Sequence, residues 1–405
     1  MNLANRMRKG FLLVSVLIVS SAPAVLAQAP NLPRVYLYNA RQLFAIRRVT
    51  GGSLAPAVAK LKADANKALG VGPFSVVNKT ITPPSGDKHD YMSQAPYFWP
   101  DPKAANGLPY IRRDGERNPE INKLPDHSAM DQMINAVSTL SLAYYLLGDE
   151  VYATKAAALL RAWFIDARTR MNPNLQFGQA IPGVNTGRGI GLIETRGLVR
   201  VVDAVGLLAG SQSWNAQDER QLKEWFDQFL KWMMEHKYGR DEAAALNNHG
   251  TYYDVQTASF ALFLGRRDLA KQILEASKQK RIAKQIEPDG RQPLELARTR
   301  AWSYSVGNLD GLTLLAILGE SVDVDLWHYE TGDGRSIRRA FEYLYPFAIG
   351  SQKWPHQQIT EFQADSLFPL MRRAASRYSD QKFKTMMAHV PQLGAMDRER
   401  FFVEQ

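Results

Sequence analysis

From about residue 128 onward, apolar positions recur at three- and four-residue steps, the spacing of helices with one buried face. The run "SAMDQMINAVSTLSLAYYLLGDE" predicts a helix with Ser128 at its N-cap and its end at Leu147-Gly148, and a second helix starting near Val151. The same grammar returns three times: an apolar helix end, a Gly suited to the C′ position, a few polar residues, then another helix. It reads "LLGDE" at Gly148, "LLAGSQSW" at Gly210, "LFLGRRD" at Gly265 and "AILGES" at Gly319, in steps of 62, 55 and 54 residues. Each step has room for two helices of roughly 15–20 residues. Stacked antiparallel helix pairs of this length form a solenoid, or a ring where the curvature closes. The expected fold is therefore all-α, an (α/α) toroid or incomplete barrel of helical hairpins. Leu37–Leu69 adds one or two N-terminal helices.

Residues 71–127 break the pattern. They are rich in Pro, Gly, Asn and Asp and lack helical periodicity. Tyr91, Tyr97, Phe98, Trp99 and Tyr110 argue against disorder. A long ordered loop carrying these rings with Arg112, Arg113 and Arg117 suits the wall of a cleft. Tyr97 and Trp99 can stack on a sugar face or pin the loop to the core. No linker or charge block divides the rest, so residues 28–405 are expected to form a single domain.

Composition narrows the setting. Arg6, Arg8 and Lys9 precede the apolar run "GFLLVSVLIVSSAPAVLA", and Val25 and Ala27 fit a cleavage site. Residues 1–27 thus predict a signal peptide, and the mature chain is expected in the periplasm or the medium, with no membrane attachment. There is no Cys, hence no disulfide framework. Without the three leader basics, 47 basic residues face 40 acidic ones. That excess attracts a polyanion. For an exported chain with no nucleic-acid motif, an acidic polysaccharide is the better match. No HxxH, HExxH or calcium-loop spacing occurs, so neither a metal nor any other cofactor is expected.

Two polar clusters interrupt the helical region. The first is "AALNNHGTYYDV", with Asn247, Asn248, His249, Gly250, Tyr252 and Tyr253 in a chain that has only seven His. Asn residues here cap a helix, and Gly250 suits a tight bend. Alternatively, the cluster holds a negatively charged oxygen and moves a proton beside it. The second is "DGRQPLELARTRAWSYSVGNLDGL". Pro293 suits a first helical turn and the run from Leu294 reads as helix. On one helix, Arg300, Tyr304 and Asn308 would share a face, while Arg298 would lie about 120° round from Tyr304. Elsewhere, "GVNTGRGIGLIETRG" places Arg188 in a Gly-rich setting, with Glu194 and Arg196 spaced for a local ion pair. "LPDHSAMDQM" places His127 at a helix start, with Asp126 or Ser128 as cap.

"DYMSQAPYFWPDP", "GLPYIRRDGERNPE", "NNHGTYYD" and "PLELARTRAWSYS", in this order, resemble the alginate lyase domain family over roughly residues 70–350. That resemblance implies an incomplete α/α toroid and a polysaccharide lyase acting on alginate, glucuronan or a related polyuronate. Such an enzyme removes the proton at C5, α to the carboxylate, and expels the O4 oxygen. Charge grows on the carboxylate as the proton leaves, so donors aimed there favour the transition state. The family motif assigns Tyr304 and His249 as acid and base candidates, and Asn248 and Arg298 as carboxylate binders. Tyr304 is the acid, and also the base where C5–H lies on its side. "ELAR" favours Arg298, whereas helix geometry favours Arg300. Asn247, Arg300, His127, Arg188, Tyr97, Trp99 and Tyr253 complete the expected substrate contacts. The rivals are a glycoside hydrolase using two of Asp289, Glu295 and Asp310, and a periplasmic polysaccharide-binding protein without chemistry.

Overall fold

The computed structural model describes residues 32–47 and 51–402. The expected signal peptide at residues 1–27 lies outside them. Two helices come first, α1 (Ala40–Ile46) and α2 (Ala55–Leu69). Asn39 caps α1 by accepting hydrogen bonds from the Arg41 and Gln42 amides. The first hairpin is α3 (Asp126–Leu147) and α4 (Glu150–Leu160), turned at Gly148 with φ 76°. After it come α5 (Val199–Leu207), α6 (Ala216–Glu235), α7 (Lys237–Ala243), α8 (Asn248–Phe263) and α9 (Arg267–Ser277). The chain continues through α10 (Ala283–Gln285), α11 (Pro293–Leu296), α12 (Ala301–Glu320) and α13 (Ile337–Ala348). It closes with α14 (Phe368–Ala375) and α15 (Gln381–Met387). No helix of the described residues is long and apolar enough to cross a membrane.

Burial sorts these helices into two layers. Helices α3, α5, α8 and α12 pack each against the next. Helices α4, α9 and α13 back onto α3, α8 and α12 respectively. Every residue of α8 from Gly250 to Phe263 is buried. In contrast, α9 buries only Ala270, Leu274 and Ser277. A helix that is apolar all round belongs inside, and one with a single apolar stripe belongs outside. The fold is an incomplete α/α toroid.

Three details depart from the pattern-based reading. Helix α3 starts at Asp126, two residues before Ser128, and no side chain caps it. Asp126 is instead buried against Lys79, 2.9 Å from its Nζ. Gly148, Gly210 and Gly265 all have positive φ, as helix-ending glycines should. Gly319 does not: α12 runs through it to Glu320. A Cβ there would lie 2.3 Å from the Val324 carbonyl oxygen, so close approach of the chain explains this glycine.

The stretch 71–127 is ordered by short strands and by its anchor. It carries β1 (Met92–Gln94), β2 (Phe98–Trp99) and β3 (Ile111–Arg112). Strand β1 pairs in parallel with β4 (Phe177–Ala180), and β2 pairs antiparallel with β3, Phe98 opposite Arg112. At its base, Lys79 Nζ donates to the carbonyls of Val76 and Lys88. Asp126 meanwhile accepts from the Met92 amide at 3.0 Å. The other carboxylate oxygen, Oδ1, is buried without a partner, so this ion pair fixes geometry more than it adds stability.

Candidate active site

The "NNHG" stretch is the junction of α7 and α8. Asn247 is the N-cap of α8 and its side chain accepts from the His249 amide at 3.3 Å. Gly250 lies inside the helix, not at a bend. Its missing Cβ leaves room for the Arg281 guanidinium, which a side chain there would meet at 2.3 Å. Arg281 is buried, pairs with Asp254 at 2.7 Å, and donates to the carbonyls of Ala243 and Ala245. This clamp holds the end of α7 against the start of α8, which sets His249. The His249 Nδ1 lies 2.7 Å from Glu242 Oε1 on α7. An ionised carboxylate only accepts, so Nδ1 carries the hydrogen and Nε2 is left as the free ring nitrogen.

The second cluster is not one helix. Helix α11 stops at Leu296 and α12 begins at Ala301, so Arg298 sits on the connection between them. Helix geometry therefore does not apply to Arg298 and Tyr304, and the two meet directly. Arg298 Nη2 donates to the Tyr304 hydroxyl at 2.8 Å, and its Cζ lies 3.8 Å from the ring centroid. Tyr304 in turn donates to the Tyr97 hydroxyl at 2.9 Å. Asp114 grips the other side of the guanidinium, accepting from Nη2 at 2.6 Å and from Nε at 3.0 Å. It also accepts from the Thr299 amide and from Arg112. Arg298 Nη1 has no partner among the described residues and remains available.

Charge follows these contacts. Burial pushes the Tyr304 phenol above its usual value, and the Tyr97 hydrogen bond adds to this against the Arg298 cation. Burial also acts to raise the Asp114 carboxyl, but the Arg298 fork and the Thr299 amide outweigh it and hold it well below the carboxylate range. Burial raises the Glu295 carboxyl against the Asn248 donors and the nearby Arg298 and His249. Desolvation lowers Arg188, partly offset by Glu194 and Glu242.

Asn248 is committed to Glu295. Its side-chain nitrogen donates to both carboxylate oxygens at 3.0 and 2.8 Å, and its amide donates at 2.6 Å. Its amide hydrogens thus face Glu295. Arg188 donates to the carbonyl and side chain of Gln179 and covers the Phe98 ring at 5.1 Å. Trp99 donates to the Glu116 carbonyl and is covered by Arg113 at 5.3 Å, so it pins the loop.

Three other expected contacts, Arg300, Tyr253 and His127, stand elsewhere. Arg300 precedes α12 and pairs its backbone with Gln358, and it makes no hydrogen bond to the cluster. Asn308, expected on its face, is buried against Gln285 and Gln292. Tyr253 is a core residue, 8% exposed, whose hydroxyl donates to the Met233 carbonyl. His127 faces Asp131 at 3.6 Å. Glu194 and Arg196 form no pair: Glu194 accepts from Tyr91 and Ser93, while Arg196 covers Tyr252 at 5.5 Å. The hydrolase carboxylates belong to separate networks, Glu295 with Asn248, Asp310 with Tyr252 and Arg373, and Asp289 with Arg291. The motif reading missed Glu242 and Asp114. Asp114 lies inside "RRDGER", but its partner is 184 residues away.

A helical toroid that gathers Arg298, Tyr304, His249 and Asn248 around Glu295 fits a polysaccharide lyase. The alginate lyase family model matches residues 75–354, and the chain belongs to the alginate lyase family. An alginate lyase from Bacteroides ovatus is 41% identical, with a TM-score of 0.88 over 91% of this chain and 99% of that one. Alginate lyase A1-III from Sphingomonas species A1 shares the fold at 14% identity, with a TM-score of 0.53 over 86% and 96% of the two chains. A variant of A1-III has been solved with a tetrasaccharide, and it too is similar in fold at 14% identity. Comparison with curated proteins gives no match.

Proposed function

We propose that this lyase cleaves an alginate-like polyuronate by β-elimination, leaving a 4,5-unsaturated uronate end. The observation that carries this reading is the chain Arg298–Tyr304–Tyr97 together with the His249–Glu242 pair, with Arg298 and His249 both acting on the same Glu295 carboxylate. The free Nη1 of Arg298 meets the carboxylate of the unit being cleaved, and its attraction strengthens as charge grows there. Tyr304, kept protonated by burial, donates to the departing O4. His249 Nε2 takes the C5 proton when that proton lies on its side, and Glu242 steadies the imidazolium that forms. Where C5–H lies on the Tyr304 side, the minor phenolate form of Tyr304, which the Arg298 cation beside its oxygen favours, takes that proton and passes it on to the departing O4. Asn248 acts one step removed, by holding Glu295 near Arg298 and His249. Glu295, Asp289 and Asp310 are each committed to different partners, which speaks against their pairing for hydrolysis. We further propose export to the periplasm with cleavage after Ala27, which N-terminal sequencing of the mature chain checks.

The test is to follow ultraviolet absorbance of the unsaturated product on polymannuronate, polyguluronate, glucuronan and hyaluronan. Absorbance should rise with alginate blocks, and Tyr304→Phe should lower the rate by about 10²–10⁴ while remaining folded. His249→Ala should lower the rate strongly on only one of the two alginate epimers. Reducing ends without the chromophore would replace the lyase reading with hydrolysis.

A further inference from the structure

Four buried, uncharged side chains join the elements that carry the catalytic groups. They are Asn308, Gln285, Gln292 and Thr251. Asn308 lies on α12, one turn after Tyr304. Its Nδ2 donates to Gln285 Oε1 at 2.9 Å and to Gln292 Oε1 at 2.8 Å. Gln285 is the last residue of α10, and its Nε2 donates to the Asn247 carbonyl at 3.2 Å. Asn247 is the N-cap of α8, which carries Asn248 and His249. Thr251, in the first turns of α8, donates its hydroxyl to the same Gln285 oxygen at 2.9 Å. Gln292 is the N-cap of α11, and its carbonyl accepts from the Glu295 and Leu296 amides. Its Nε2 returns to α12, donating to the Ser305 carbonyl at 3.1 Å.

The acceptors fix the direction of every amide. A backbone carbonyl only accepts, so Gln285 turns its nitrogen to Asn247 and Gln292 turns its nitrogen to Ser305. Both glutamine oxygens then face residue 308 and need hydrogens. Among side chains of this size, Asn is the one that offers two hydrogens on a single atom. A carboxylate of the same shape would set oxygen against oxygen. Alanine would leave the Gln292 oxygen without a donor among the described residues, and the Gln285 oxygen with Thr251 alone. Asn308 Oδ1 is itself buried with no partner among the described residues. The part Asn308 plays in the network therefore lies in its two hydrogens.

Resting on the lyase reading for the roles of Tyr304 and His249, we infer that Asn308 is a positioning residue for the elimination. It ties the helix of Tyr304 to the start of the helix that bears His249. Through Gln292 it also ties that helix to the segment bearing Glu295 and Arg298. Asn308 is buried and acts only through these elements. Its hydrogens set the spacing between the groups that take and give the proton. A small displacement of such groups costs rate while leaving binding nearly intact.

The test is Asn308→Ala in the full protein, assayed for unsaturated product on polymannuronate and polyguluronate. On the polymer that the wild type cleaves, kcat should fall about tenfold or more with KM within about threefold. Leu315→Ala is the control, a core residue two turns further along α12. Its cavity should lower the urea midpoint while kcat stays within about twofold of wild type. Asn308→Ala combined with Gln285→Ala should lose much less than the product of the two single losses, because the two side chains share one bond. Asn308→Ser keeps one hydrogen and should give an intermediate kcat; it also serves where Asn308→Ala does not fold. Hydrogen exchange gives a readout independent of turnover. In the Asn308 variants, amides at the start of α8 and in α11 should exchange faster, and those of α3 should not change. A kcat that falls no further than in Leu315→Ala would overturn the assignment. So would single losses that simply multiply, or unchanged exchange at α8 and α11. The lyase reading fails separately: a wild type that makes no unsaturated product from any polyuronate removes the roles of Tyr304 and His249, whereas an active wild type with an equally fast Asn308→Ala removes the positioning role alone.

Discussion

At the scale of single residues, the site works through pairs. His249 and Arg298 are each oriented by a carboxylate placed behind them, Glu242 and Asp114. Glu242 is 1% exposed, and its carboxylate faces the imidazole while also acting on Arg188. Glu242→Gln keeps an acceptor for Nδ1–H but removes the charge that balances the imidazolium. On the epimer for which His249 is the base, kcat should fall about 10–100-fold with KM within about twofold. An equal loss on both epimers would make Glu242 a structural residue. Asp114→Ala frees Arg298 from its two-pronged grip and releases the Thr299 amide. Its kcat/KM should fall at least about tenfold, since a misplaced guanidinium loses most of its value to the transition state. Unchanged kinetics would show that Tyr304 alone holds Arg298. Tyr304, His249 and Arg298 were legible because they sit in short, unusual motifs. Glu242 and Asp114 were not, because a lone acidic residue looks the same whether it faces water or a histidine. Tyr253 misled for a related reason: a Tyr one turn from His249 reads as a contact, yet its ring is buried in the core.

At the scale of elements, the breaks between helices matter more than the helices. The apolar periodicity gave the hairpins correctly, because a buried inner helix and a striped outer one leave different traces. It failed at Ala297–Arg300, where apolar and polar positions continue in helical register although the backbone leaves the helix. That failure concealed why Arg298 and not Arg300 meets Tyr304. The junction of α7 and α8 depends on one missing methyl group. A Cβ at Gly250 would fall 2.1 Å from the Ala245 carbonyl oxygen and 2.3 Å from Arg281 Nη1. Gly250→Ala should therefore cost about 1–3 kcal/mol, as overpacking does, despite the better helix propensity of Ala. Urea unfolding measures it. A gain in stability would mean that Arg281 can move aside without loss and does not clamp the junction.

At the scale of the whole molecule, the first described segment is tied into the ring of helices. The segment after Pro33 lies along α5, where Asp203 accepts from the backbone amides of Tyr36 at 2.9 Å and Leu37 at 2.8 Å. Gly206 lets the strap pass, since a Cβ there would meet the Arg34 carbonyl oxygen. The Tyr36 hydroxyl then donates to the Leu262 carbonyl on α8. None of this was visible in the sequence, where Asp203 is one acid in an apolar helix. Its burial raises the carboxyl to about 7, against the pull of the backbone donors. In the unfolded chain the same group titrates near 3.9. Between those values the folded protein keeps a proton that the unfolded chain gives up. The stabilising contribution is therefore complete below about pH 4, is lost as pH rises toward 7, and changes little above that. Its full size is at most about 4 kcal/mol. Asp203→Asn cannot titrate, so the unfolding free energy of the wild type relative to this variant should fall between pH 4 and 7 and level off by pH 8. Urea unfolding of both proteins at four pH values reads the difference directly. A constant difference across that window would mean that Asp203 stays ionised in the folded protein, with the backbone amides of Tyr36, Leu37 and Tyr38 outweighing its burial.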